Sequence, residues 1–157
     1  MPPNLRALVN FDTVNQNAVA FARQYRYDWI HEITDTTRTQ VQQAIANWIQ
    51  SGASLDTLDD MLAPIFGEAR ASQIAATEVT RVFAMANMDA WDSTGMVDGA
   101  TWMTSQDETV CPECEANDGM EVGLGDNDAA PPAHPGCRCW LQPHTSEEMI
   151  RKALAAA

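Results

Sequence analysis

Lysine is almost missing from this chain. Of 157 residues only Lys152 is a lysine, and nine basic residues face 22 acidic ones, for a net charge of −13. A domain that grips nucleic acid on its own needs a stripe of Lys and Arg to neutralise phosphates, so the composition argues against that class. Long apolar runs are missing too. None approaches the ~20 residues that a membrane-spanning helix requires, and no membrane partner is expected. An internal repeat is also lacking. The opening Met1-Pro2-Pro3-Asn4, followed by Leu5 to Asn10, is too short and polar for the apolar core of a secretory signal. The expectation is therefore a compartment that keeps thiols reduced.

What remains is the material of one globular domain. Hydrophobic residues make up 45% of the chain, and a chain of this length buries roughly two thirds of its unfolded surface. The charge is uneven. Residues 1–50 balance four acids against four arginines, whereas residues 51–100 sum to −6 and residues 101–157 to −7. Such a surface keeps the protein soluble and favours a basic partner.

The four cysteines all lie in one window. Cys111-Pro112-Glu113-Cys114 is followed, after a Gly- and Asp-rich stretch, by His134-Pro135-Gly136-Cys137-Arg138-Cys139. A Cys-x2-Cys pair on a tight turn presents both thiolates to one tetrahedral ion at about 2.3 Å, and Pro112 pre-sets φ for such a turn. In an extended segment residues i and i+2 share a side, so Cys137 and Cys139 can reach one ion together. Cys111, Cys114, His134, Cys137 and Cys139 are thus five candidates for four places around one structural Zn2+. Either all four thiolates bind or His134 replaces one of the C-terminal pair, and the donor left over supports the others from behind. The competing reading is two disulfides, for which four cysteines permit three pairings; reduced thiols favour zinc.

Catalytic zinc fits less well. Zinc deaminases carry His-x-Glu ahead of Pro-Cys-x-x-Cys. Here His31 is followed directly by Glu32, and the first cysteine precedes its proline. His31-Glu32-Ile33-Thr34-Asp35 also lacks the second histidine of a metalloprotease helix. A site with four or more protein donors is closed, which suits structure. Asp126-Asn127-Asp128 begins like a calcium loop but has no Gly or Glu at the required places, and reads as solvated loop.

The fold class expected is α+β, mainly α: a helical N-terminal two thirds, a small β-rich zinc-knuckle subdomain and a C-terminal helix. The boundaries fall at residues 1–95, 96–143 and 144–157, within one compact domain overall. Residues 1–10 have no clear period and read as a linker or extended arm. Asp12 or Thr13 opens a helix to about Trp29, and a second runs from about Thr36 to Gln50. The Thr-rich patch between them either breaks one long helix or does not. Ser54 starts a short helix ending near Pro64–Gly67. Residues 67–94 then form the longest helix, closed by Gly95. Gly99 falls in a turn, and strands are expected at Thr101–Thr104, Gly119–Val122 and Cys137–Leu141, with a loop over Gly123–Pro135. The capping box Thr145-Ser146-Glu147-Glu148 opens a helix through about Leu154. The five tryptophans are placed in the core, and His144 beyond the cluster on the surface. Glu78 and Arg81, three apart on a helix, form a pair or link the helix to the zinc region. Arg138, between two cysteines, points away from them toward an acid such as Glu78.

Three segments together carry a family resemblance: Ala76-Thr77-Glu78-Val79-Thr80-Arg81 with Asn87 beyond it; Trp102 and Asp107 ahead of Cys-Pro-x-Cys; and Pro131-Pro132-Ala133-His134-Pro135-Gly136-Cys137-Arg138-Cys139. Over roughly residues 55–143 the chain resembles the phage Mu F-like head morphogenesis domain of minor head proteins in tailed phages and prophages. The resemblance implies a non-enzymatic minor capsid component of the bacteriophage virion. Such a protein is assembled in the host cytoplasm, sits inside the head, and associates with portal or capsid protein, with indirect contact to packaged DNA. The alternatives are a metal-dependent hydrolase or toxin-like effector, which would show metal-dependent turnover, and an acidic adaptor that captures a host protein.

Overall fold

A computed structural model describes residues 11–156; the arm expected at residues 1–10 lies outside the described residues. Four helices come first: α1 (Phe11–Gln24), α2 (Asp35–Ser51), α3 (Leu55–Phe66) and α4 (Glu68–Thr94). They are followed by β1 (Gly99–Met103), a one-and-a-half-turn helix α5 (Pro112–Asn117), β2 (Glu121–Val122), β3 (Trp140–His144) and α6 (Glu147–Ala156). The architecture is mainly α with a small antiparallel sheet, as expected.

α1 ends at Gln24, short of the expected Trp29. Tyr27 adopts a left-handed φ of 54°, is buried, and donates its hydroxyl to the carbonyl of Ala22 at 2.9 Å. That bond satisfies one of the free carbonyls at the helix C-terminus, so the chain turns inward and Trp29 falls outside the helix, 37% exposed. The Thr-rich patch is a true break. Thr34 is extended, and its hydroxyl accepts from the Thr37 backbone at 3.1 Å, an N-cap that starts α2 afresh.

α4 is the longest described helix and belongs to two cores. One face of it lends Ala71, Ile74, Ala75, Val82 and Ala86 to a cluster with Ala18, Val41, Ile45, Leu58 and Leu62. Its second half lends Ala84, Met85 and Met88 to a cluster with Trp102, Val122, Leu141 and the buried cysteines. The many alanines on α4 allow neighbouring helices to approach closely. The tryptophans divide: Trp102 is buried, while Trp29 and Trp140 are substantially exposed, the latter at 49%. Trp140 pairs with Met103 on the outward side of the sheet, where a two-residue period puts every second side chain in solvent.

The sheet order is β2-β1-β3, all antiparallel. Gly99 lies inside β1, opposite His144, and not in the expected turn. A Cβ there would sit 2.9 Å from His144 Cε1, so the missing side chain is what lets the imidazole lie across the strand. β3 starts at Trp140, three residues later than expected, because the backbone around Cys137 bonds elsewhere. β2 is shorter than expected, although Gly119 and Met120 still exchange backbone bonds with Trp102 at 2.9 and 2.8 Å. α6 is capped by Ser146, whose hydroxyl accepts from the Met149 backbone at 3.1 Å; Thr145 lies one residue too early.

Burial along α3 separates structural from incidental leucines. Leu62→Ala should cost about 2–5 kcal/mol, whereas Leu55→Ala, at a position 40% exposed, should stay within roughly 0.5 kcal/mol. Urea unfolding of both variants checks this; equal losses would contradict the packing described.

Candidate metal centre

Cys111 is extended and caps α5: its sulfur accepts from the Cys114 backbone N–H at 3.4 Å. Pro112 takes the first helical position, where a missing N–H costs nothing. Cap and first turn thereby turn both sulfurs to one side, so the expected knuckle is a helix N-terminus. The other half is a tight turn. Cys137 N–H donates to the His134 carbonyl at 3.1 Å, with Pro135 second and Gly136 third at φ 80°. This is the arrangement of a type II turn, whose third position requires positive φ.

α4 holds that turn from behind. Thr77 Oγ1 accepts from the Gly136 backbone N–H at 2.8 Å, and Thr80 Oγ1 donates to the Cys137 carbonyl at 3.0 Å. These bonds draw the Cys137 backbone away from the sheet and explain the late start of β3. They also give a structural role to two residues of the Ala-Thr-Glu-Val-Thr-Arg segment.

All five expected donors converge. His134 Nε2 is 3.0 Å from Cys111 Sγ and 3.0 Å from Cys114 Sγ, and Cys114 Sγ is 3.7 Å from Cys137 Sγ. The donors form two triads that share Cys114: Cys111–Cys114–His134 and Cys114–Cys137–Cys139. A tetrahedral zinc with Zn–S near 2.3 Å sets its sulfurs about 3.8 Å apart, which the Cys114–Cys137 separation meets; the S···N contacts are shorter than such an edge. No disulfide is formed.

A further observation fits a soft divalent ion. His134 Nδ1 lies 2.9 Å from the Pro135 carbonyl. A proton held there leaves Nε2 with its lone pair toward the sulfurs, the usual orientation of a metal-binding imidazole. The Trp102 indole N–H is buried without a hydrogen-bond partner of normal geometry, beside the Cys139 sulfur. The thiols differ. The Cys114 backbone N–H holds Cys111 below its ordinary range. Burial raises Cys137, but the backbone N–H groups of Cys139 and Ala133 outweigh it and leave the thiol lowered. Burial pushes Cys114 and Cys139 up.

Arg138 does point away from the sulfurs, but its partner is Asp107 and not Glu78. The guanidinium makes two 3.0 Å bonds to the Asp107 carboxylate and a third contact to Thr109 Oγ1. The Arg138 bonds first, and those that the Thr109 hydroxyl and backbone N–H donate to the carboxylate second, hold the Asp107 carboxyl well below the usual range. The fork ties the second cysteine segment to the loop preceding the first. Glu78 pairs with Arg81 at 3.3 Å while only 1% exposed. The Arg81 guanidinium lies over Trp29 at 4.0 Å and Tyr25 at 5.3 Å, a cation–π arrangement. His144 stands 2.8 Å from Asp98 and 2.7 Å from Glu121. The Asp98 hydrogen bond first, and Glu121 second, raise its pKa. The sequence reading missed this clamp; Gly99 opposite it was the one available signal. His31 is exposed and contributes its carbonyl, which accepts from Arg70 at 2.8 Å. Asp126, Asn127 and Asp128 are exposed, as expected of a solvated loop.

Burial outweighs Arg81 and pushes Glu78 up from 4.5 to about 7. The folded chain then keeps a proton that the unfolded chain has already lost. Glu78 therefore subtracts from stability as pH rises from about 4.5 to about 7, and the loss stays constant above that window. Glu78→Gln should remove this decline. Urea unfolding at successive pH values should show the variant gaining on the parent across the window, by up to about 3 kcal/mol. A difference that does not move with pH would contradict the burial argument.

Among known proteins, a family model described as Phage Mu protein F like protein matches residues 39–142. The match takes in most of α2, all of α3 and α4, both cysteine segments and the Arg138–Asp107 fork, and begins earlier than the segments that carried the resemblance. No curated protein and no solved structure matches the chain significantly. With both halves of the cysteine–histidine cluster inside a match spanning most of its length, the chain belongs to the Phage Mu protein F like family.

Proposed function

We propose that the protein is a minor head component of a bacteriophage, acting in head morphogenesis through the portal or capsid subunits. A single structural zinc would hold its C-terminal third. The family match supports the head-protein class. The observation that carries the structural role is a donor cluster with more protein ligands than a tetrahedral ion can use, packed on α4 and partly buried. Such a site leaves no open position for a substrate. No described helix is long and apolar enough to cross a membrane.

Of the five candidates, Cys111, Cys114, His134 and Cys137 are the preferred ligands. Their contacts run in a chain, Cys111–His134–Cys114–Cys137, at 3.0, 3.0 and 3.7 Å. Cys139 is the fifth donor, a thiol facing Trp102. Zinc when bound would supply positive charge and a covalent cross-link between α5 and the His134–Cys137 turn. Residues 96–143 then form a unit whose order depends on metal, resting on a helical unit over residues 1–95, with residues 144–157 as an appended helix.

Cys111→Ser and Cys114→Ser should therefore lose zinc and loosen the core around Trp102, leaving most of the far-ultraviolet helical signal, whereas Cys139→Ser should keep the metal. Zinc content with circular dichroism and tryptophan fluorescence decides this. Full metal occupancy in both of the first two variants would overturn the site. For the head role, the protein should co-sediment with procapsids assembled from the same phage's portal and capsid proteins, and omission of portal should lower its incorporation. Failure to enter particles, with metal-dependent turnover of a substrate instead, would favour the hydrolase or effector reading.

A further inference from the structure

A cleft of about 520 Å3 lies between the segment after α1, the first half of α4 and the loop that carries His134. Its volume is that of a small-molecule or side-chain site. Ile30, Ile74, Ala133 and Pro135 give it apolar walls, and Trp29, still partly exposed, adds an aromatic one. Glu78 is the only acid in its lining.

Glu78 has less support than its burial demands. An ionised carboxylate offers about four acceptor positions. Among the described residues one oxygen meets Arg81 Nε at 3.3 Å, and no other side chain bonds the group. Arg81 itself is spread over two aromatic rings. At the rim, Arg70 is committed to the His31 carbonyl and lies over Phe66 at 5.2 Å. The cleft thus combines walls for an aliphatic stem with a buried carboxyl that bonds a single side chain. Around it the whole chain carries −13, a field that attracts basic partners.

We propose that this cleft receives the lysine side chain of a protein partner, its aliphatic stem between the apolar walls and its ammonium on Glu78. The inference goes beyond the head-assembly reading and does not rest on it, since the test below uses the isolated protein.

The experiment is a titration of zinc-loaded, isotope-labelled full chain with capped lysine (Nα-acetyl-lysine methylamide), followed by the Trp29 indole N–H resonance. Capped norleucine serves as the neutral isostere, capped glutamate as the anion and 1,4-diaminobutane as a free alkylammonium. We expect saturable shifts with capped lysine, about tenfold weaker binding of norleucine, and loss of that preference in Glu78→Gln, as a charge-assisted hydrogen bond requires. Gln73→Trp, at an exposed lining position, should block binding without touching the Glu78–Arg81 pair, which covers the case that Glu78→Gln does not fold. Equal binding of norleucine, tighter binding of glutamate, absence of a saturable shift, or unchanged lysine binding in Gln73→Trp would each overturn the proposal. Tighter binding of the free diamine would overturn its assignment to a protein partner.

Discussion

Two threonine hydroxyls on α4 fix the turn from which two of the candidate metal donors project. Thr77 accepts from the Gly136 N–H and Thr80 donates to the Cys137 carbonyl. They lie three apart, on one face of the helix. Each bond is worth on the order of 1 kcal/mol, too little to fold a subdomain. Their importance is geometric: they fix the one turn from which His134 and Cys137 project, and so decide where a metal cross-link can form. The third strand of the sheet starts only after the cysteines.

Such a device suits a segment that cannot build a core by itself. Two of the three strands are five residues long and the other two. The loop from Gly123 to Pro135 contributes little regular structure. The second core works because α4 turns a second face, with Ala84, Met85 and Met88, toward Trp102, and because buried cysteines occupy places that leucines would fill in a larger domain. The proposed metal cross-link would then substitute for apolar area. The Arg138–Asp107 fork and the Asp98–His144–Glu121 clamp add polar ties on the outside, where each alone would be worth little.

Much of this was legible in the residues. Helix periods, the Gly95 stop and the α+β order came from spacing and turn chemistry, and the five metal candidates from soft donors crowded into one window. The rest failed for identifiable reasons. Tyr27 ended α1 through a side-chain hydrogen bond to the carbonyl of Ala22, five residues back, which apolar periodicity does not announce. Gly99 read as a turn residue because its need to be small comes from His144, 45 positions along the chain. Arg138 found Asp107 instead of Glu78 because Glu78 was already buried with Arg81, a competition visible only in three dimensions. Trp29 and Trp140 were assigned to the core on apolarity alone, although one serves as a platform for Arg81 and the other lies on the open face of the sheet.

The central claim is that a single metal ion closes the cysteine–histidine cluster. Native and denaturing mass spectrometry on protein purified without chelator, combined with metal analysis, tests it most directly. The account predicts one zinc per chain, lost on denaturation, with all four cysteines then alkylated without prior reduction. A metal-free native mass four protons light, with no cysteine alkylated before reduction, would mean two disulfides and would contradict it.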